Sequence, residues 1–324
     1  MIARRFAVWL AIAIITGSAD HAAAQAYPDR LIKVVVPYPA GGPIDITARL
    51  LVQKLAPILG QTVIIENRGG AGGALGTKAV VGAEPDGYTL LFGNASALVV
   101  GPAVYRFRDY DTVKHFTPIA KVTEGYEVLV VAPDFPANNV QELVAYAKAR
   151  PGKLNFGSMG YGNLTHLAAE LFKLQTGTDF VHVPYKGSPE AVAGIVAGEV
   201  HILFGEVAGL LPLVRTGKIR ALGVASAARN ALAPDLPTMI EGGIPDFVAL
   251  TFTGVVAPAG TPATIVAKLN AAINESLKSA DIVAALSKLG AEVRTGSAQE
   301  FAAFIAKERA LWIDVVTRAG IKAE

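Results

Sequence analysis

The spacing of apolar positions divides the chain into alternating strands and helices. Residues 31–36 form a β-rich apolar run that breaks at Pro37-Tyr-Pro-Ala-Gly-Gly42. From Pro43 onward Ile46, Leu50, Leu51 and Leu55 recur at three- and four-residue steps, the period of a helix. A second strand at 62–66 runs into the glycine-rich stretch Asn67-Arg-Gly-Gly-Ala-Gly-Gly-Ala-Leu-Gly76, followed by a short helix over about 73–82. Pro85-Asp-Gly87 is a turn, and 88–92 is a strong strand ending at Gly93-Asn-Ala-Ser96. This βαβαβ order predicts a parallel sheet with right-handed crossovers.

The pattern then repeats. Residues 116–133 read as one or two extended pieces, clearest at 126–132, and 140–149 as a helix. The strand 154–156 enters Gly157-Ser-Met-Gly-Tyr-Gly-Asn163, and a helix follows with Leu164, Leu167, Ala168, Leu171 and Phe172 on one face. Next come the strand 180–184, the loop Tyr185-Lys-Gly-Ser-Pro189 and a helix to about 197. A strand at 201–204 leads into Gly205-Glu206, a short helix and the strand 219–225. A connector rich in Ala, Pro, Asn and Gly covers 226–246. The chain returns with a strand at 250–257, helices at about 262–279 and 281–288, a short strand at 292–295 and a final helix from 298 to about 319. One α/β unit, a second, then a return predicts two domains: 27–122 with 250–324 as lobe 1, and 123–249 as lobe 2.

Composition narrows the function. The 324 residues are 52% apolar and 17% charged, which describes a packed globular protein. A net charge of +2 without a Lys/Arg cluster predicts no nucleic-acid partner. With no cysteine there is no thiol catalysis, disulfide or cysteine metal site. Arg4 and Arg5, an apolar run of about ten residues over 6–15, and A-x-A patterns at 22–24 and 24–26 read as a cleaved export signal spanning 1–26. The expected location is the periplasm.

The chemistry-bearing motifs point to binding rather than turnover. Two glycines between a strand and a helix start, Gly41 and Gly42, let backbone N–H groups face an anion. The loop at 157–163 is of the same physical type. Asp45, in the first helical turn, is expected to cap N–H groups rather than touch an anion. Asn94 and Ser96, at a strand's carboxyl end, either donate to a ligand or cap their loop. His166 points into a cleft or makes a structural hydrogen bond. Lys186 is expected to be solvated. Glu206 is out of place beside an anion; it binds an amino group or sits at the rim.

Other chemistries fail on spacing. The glycines at 70 and 72 lack a partner at Leu75, and no Lys-Ser/Thr ends the loop, so a nucleotide site is excluded. Phe156 stands where a Gly-x-Ser-x-Gly elbow around Ser158 needs glycine. The histidines at 21, 115, 166, 182 and 201 show no metal-ligand spacing. Neither a catalytic group, a cofactor nor a metal is expected.

Six stretches together resemble one family: residues 37–45, 63–73, 85–90, 157–163 with His166, 183–187 and 257–262. In order, they resemble the Bug (Bordetella uptake gene) family, the extracytoplasmic solute receptors of tripartite tricarboxylate transporters. The resemblance implies an α/β, two-domain periplasmic-binding-protein fold, a type II-like Venus flytrap with the ligand clamped between lobes. It implies a monomer that captures a small organic carboxylate and delivers it to membrane subunits of the transporter; a ligand-reporting subunit docked on a membrane sensor is the alternative. It places one carboxylate near Tyr38, Ala40, Gly41 and Gly42, and closes the second lobe with Ser158, Gly160, Gly162, Asn163, Lys186 and Gly187. The chain departs from the family at Phe204-Gly-Glu206, where Phe-Asp is usual.

Overall fold

A computed structural model of the chain describes residues 27–104 and 110–321. The export-signal reading at 1–26 lies outside the described residues. Among the described residues, no helix is long and apolar enough to cross a membrane.

Lobe 1 is built on a parallel trio. Strand β1 (Ile32–Val36) pairs with β2 (Val63–Asn67) on one side and β3 (Thr89–Asn94) on the other. Its β-branched Ile-Lys-Val-Val-Val sequence is almost wholly buried, as a strand covered on both faces requires. Helix α1 (Pro43–Leu59) crosses between β1 and β2, with Pro43 in its first turn and a left-handed Gly60 ending it. A short helix α2 (Ala74–Val81) makes the next crossover.

After β3 a π-helical turn (Ser96–Val100) continues into α3 (Gly101–Val104), and α4 (Thr112–His115) follows. The sequence pattern contains no sign of these helices.

Strand β4 (Phe116–Val131) is a single strand of 16 residues and belongs to both lobes. From Phe116 to Tyr126 it pairs with β9 (Leu250–Pro258), and at Glu124 and Thr123 also with β10 (Glu292–Val293). From Glu127 to Val131 its partners are β7 (Ile202–Glu206) and β8 (Arg220–Val224). Lobe 1 therefore reads β2-β1-β3-β9-β4-β10, and lobe 2 reads β8-β4-β7-β5-β6, with β5 (Leu154–Ser158) and β6 (Phe180–Pro184) parallel. At the switch, Glu127 N donates to Ala249 O and Glu127 O accepts from Ala225 N, so the returning crossover is laced to the outgoing one.

Lobe 2 carries α5 (Val140–Lys148), α6 (Leu164–Thr176), α7 (Ser188–Val196) and α8 (Val207–Arg215). Phe172, Phe204 and Phe247 cluster at its centre, Phe204 stacked on Phe247 with Phe172 edge-on to Phe247. Back in lobe 1, α9 (Ala263–Leu277) and α10 (Ala280–Lys288) precede the last helix, α11 (Ala298–Arg318). This helix starts with a full Ser297/Glu300 capping box and packs on β4, α3 and α6, spanning both lobes.

Candidate functional site

The two glycine loops both lead into helix starts. In lobe 1 the loop 37–42 is held from behind by Asp45, which is 1% exposed. Asp45 Oδ2 accepts from Gly41 N (2.8 Å) and Arg49 Nε (2.8 Å), and Oδ1 accepts from Asn67 Nδ2 (2.9 Å). Asn67 Nδ2 also donates to Tyr38 O (3.1 Å). The Arg49 pair and these hydrogen bonds pull the Asp45 carboxyl down to about 2. Asp45 thus fixes the loop and the helix start together. The glycine-rich stretch 69–76 explains itself by close approach: a Cβ on Gly76 would lie 2.8 Å from Pro37 Cα and 2.6 Å from Arg68 O.

In lobe 2 the loop 157–163 is held by neutral rings. His166 is 2% exposed, and its Nδ1 accepts from Gly162 N (3.0 Å). Its ring stacks on His182 at 3.9 Å and 7°. Burial, the His182 ring and Lys173 push His166 down to about 3; burial and Lys173 push His182 down to about 4. Both rings are uncharged at neutral pH. Ser158 is fully buried and pairs with His182 Nε2 (2.6 Å), not with His166. The β5–β6 register explains this: Phe156 lies opposite His182, so Ser158, two residues on, shares its face. No carboxylate hydrogen-bonds to His182 among the described residues, so the pair lacks the orienting acid of a hydrolytic triad.

Between the lobes lies a cavity of about 280 Å³. Lobe 1 contributes Asn94, Ala95, Ser96 and Val100; the crossover strands contribute Glu127 and Thr251; lobe 2 contributes the rest, from Met159 and Asn163 to Leu210. Three helix N-termini converge on it: α6 through Asn163, Leu164 and Thr165, α7 through Ser188, and α8 through Glu206 and Gly209. First-turn N–H groups have no partner inside their helix and carry partial positive charge. Asn94 Oδ1 is occupied by the Tyr38 hydroxyl (2.7 Å) and Ala97 N (3.0 Å), which leaves its amide N–H₂ to offer the cavity. Thr165 Oγ1 accepts from Met159 N (2.9 Å) and keeps its proton to donate.

Of the residues singled out from the sequence, Asn94, Ser96 and Asn163 line this cavity. Tyr38 stands one hydrogen bond behind it. Ala40, Gly41, Gly42, Ser158, Gly160, Gly162, His166, Lys186 and Gly187 are not among its lining residues. Lys186 is exposed, and its backbone N donates to Glu190 (3.1 Å). Glu206 lies in the wall itself. Glu127 went unnoticed in the sequence, although an acid at 127 interrupts the apolar strand 126–132.

The acids are the cavity's unusual feature. Glu127 and Glu206 face one another across the β4–β7 ladder. Glu127 is 2% exposed, and its Oε2 is buried without a hydrogen-bond partner. Burial first, and the neighbouring Glu206 second, raise its carboxyl well above the ordinary range. Glu206 is exposed along the cavity, and desolvation by its walls raises that carboxyl too. No lysine, arginine or histidine lines the cavity among the described residues.

The chain matches the family model of the tripartite tricarboxylate transporter family receptor over residues 47–321. Solved structures similar to it include the following three. The periplasmic binding protein BugD is 33% identical, with a TM-score of 0.72, covering 92% of this chain and 100% of that one. Rpa4515 of R. palustris, solved with adipate, is 34% identical at TM-score 0.75, with the same coverage. MatC of Rhodopseudomonas palustris, solved with bound malate, is 35% identical at TM-score 0.72, covering 90% of this chain and 100% of that one.

Proposed function

The chain belongs to the tripartite tricarboxylate transporter receptor family, and from that premise we propose that it captures a small organic carboxylate between its lobes for delivery to membrane transporter subunits. It acts as a periplasmic monomer and catalyses nothing. The observation that carries the reading is the convergence of three helix N-termini on one cavity between the two lobes. Such a site neutralises a carboxylate with fixed dipoles and needs no lysine or arginine. Charge-assisted hydrogen bonds contribute about 1.5–3 kcal/mol each, so a handful, less ordering costs, reaches the roughly 8 kcal/mol of a micromolar receptor. Malate and adipate, bound by two similar receptors, fit the same chemistry.

In this reading Asn94, Ser96 and Asn163 touch the ligand and Tyr38 orients Asn94. Ala40, Gly41, Gly42, Ser158, Gly160, Gly162, His166, Lys186 and Gly187 shape the loops that close over it. Lobe 1 comprises 27–122 and 250–324, and lobe 2 comprises 123–249. The partner switch between Tyr126 and Glu127, beside Ala249, makes the hinge.

Thermal-shift screening of a carboxylate panel tests the reading. A true ligand at 100 times its dissociation constant adds about 2.7 kcal/mol of stability. A shift with sugars and none with any carboxylate overturns it.

A further inference from the structure

A site built only for anions has no use for two carboxyl groups in its wall. Glu127 and Glu206 nevertheless face each other across the ladder, in a cavity to which no lining residue brings a positive charge among those described. The nearby cation Arg294 is already committed to Glu124 (2.6 Å) and Glu292 (2.6 Å). Glu206 is the N-cap residue of α8, but its side chain makes no capping bond and lies in the cavity wall instead. Glu127, a residue of the same wall, supplies the decisive detail, a carboxyl oxygen that is buried and unpartnered. Leaving such an atom unpaired carries its full desolvation penalty, so it marks a place where a binding partner gains most.

We propose that Glu127 and Glu206 form an ammonium subsite, so that the ligand is a small amino-carboxylate carrying one cationic and one anionic end. This rests on the carboxylate reading above, which supplies the other half of the molecule. The carboxylate meets the N-termini of α6, α7 and α8, and the ammonium sits between the two glutamates. It gives Glu127 Oε2 the donor it lacks and draws both carboxyl groups into ion pairs. A dicarboxylate in the same pose would bring its second charge against them. The cavity's volume is near the lower end for ligand pockets, roughly 300–1,000 Å³, which favours a short chain. The departure at Gly205-Glu206, where Phe204 is followed by glycine and then the longer acid, falls in this subsite.

Calorimetric titration of the mature chain with matched probes tests this: succinate, 4-aminobutanoate and 1,4-diaminobutane, the same three types at five and six carbons, and the 2-amino acids of equal length. An amino-carboxylate should bind at least 10-fold tighter than the dicarboxylate of its length. Glu206→Gln and Glu127→Gln should each erase that preference while melting like the wild type, since glutamine is nearly isosteric with the neutral acid. Dicarboxylates binding tightest, with affinities unmoved by Glu206→Gln, overturn the ammonium subsite and leave the carboxylate reading standing. Diamines binding alone overturn the carboxylate reading, and binding by none of the probes overturns both.

Discussion

The two lobes solve one problem by opposite means. Each runs a strand into a glycine loop and a helix, and each loop contains glycine in the left-handed region, Gly41 at φ +84° in lobe 1, Gly160 at +123° and Gly162 at +66° in lobe 2. Lobe 1 ties its loop with an ionised carboxylate, Asp45, whose partners are a guanidinium, an amide and the Gly41 N–H. Lobe 2 ties its loop with two stacked, uncharged imidazoles. The charged anchor sits away from the cavity and the neutral one leads into Asn163, Leu164 and Thr165, which line it. Placing the fixed charge away from the cavity leaves the cavity's electrostatics to helix dipoles and the glutamate pair. The contrast implies that the two loops fail under different conditions.

Acid should separate them first and by the largest margin. Asp45, lowered to about 2, contributes stability above its ordinary 3.8 that is lost only as pH falls through about 2. His166 and His182 are depressed, so their contribution is present above the unfolded value of 6.5 and lost as pH falls towards about 3 and 4. By pH 4 His166 alone costs about 3 kcal/mol. The Gly162 amide should therefore lose protection against hydrogen exchange, relative to its intrinsic rate, between pH 6.5 and 4 while the Gly41 amide keeps its protection; equal loss at both would break the comparison.

His166→Ala should cost about 3 kcal/mol at pH 7, through the lost Gly162 bond and the gap beside His182 and Phe156. It should also flatten the acid slope, which thermal melts across that pH range would read. Asp45→Ala should cost about 2 kcal/mol, discounted because Arg49 is half exposed. Its acid slope should change only below pH 4. The smallest effect is at Gly41→Ala, about 1 kcal/mol, because the added Cβ meets nothing within 4 Å and only the backbone angle objects. A loss several times larger would mean that the loop is packed rather than merely bent.

Much of this was legible in the sequence. Glycine and proline punctuate both loops, and the β-branched run at 32–36 and the apolar run at 202–204 declare their strands. The helical stretch 96–104 was not legible, because Ala97-Leu-Val-Val100 is uniformly apolar and shows no helical period. A strand shared by two sheets looks like any strand, so β4 hid both its change of partners at Tyr126–Glu127 and the importance of Glu127. Its meaning depends on Glu206, distant in sequence and adjacent only through the ladder. Ser158 and His182 became partners for the same reason, through a parallel register that spacing along the chain does not encode.

The central claim is that a carboxylate binds in the cavity between the lobes, and Gly209 gives the cleanest access to it. Gly209 is exposed in the cavity wall on α8, and a Cβ there meets nothing within 4 Å, so Gly209→Phe should fill the space without disturbing the fold. Replacing a helical glycine should leave stability equal or slightly higher. Calorimetric titration of wild type and Gly209→Phe with the best carboxylate from the panel should show binding of micromolar order in the first and a loss of at least 100-fold in the second. Equal affinity in two folded proteins would contradict the account, because the ligand would then be bound somewhere else.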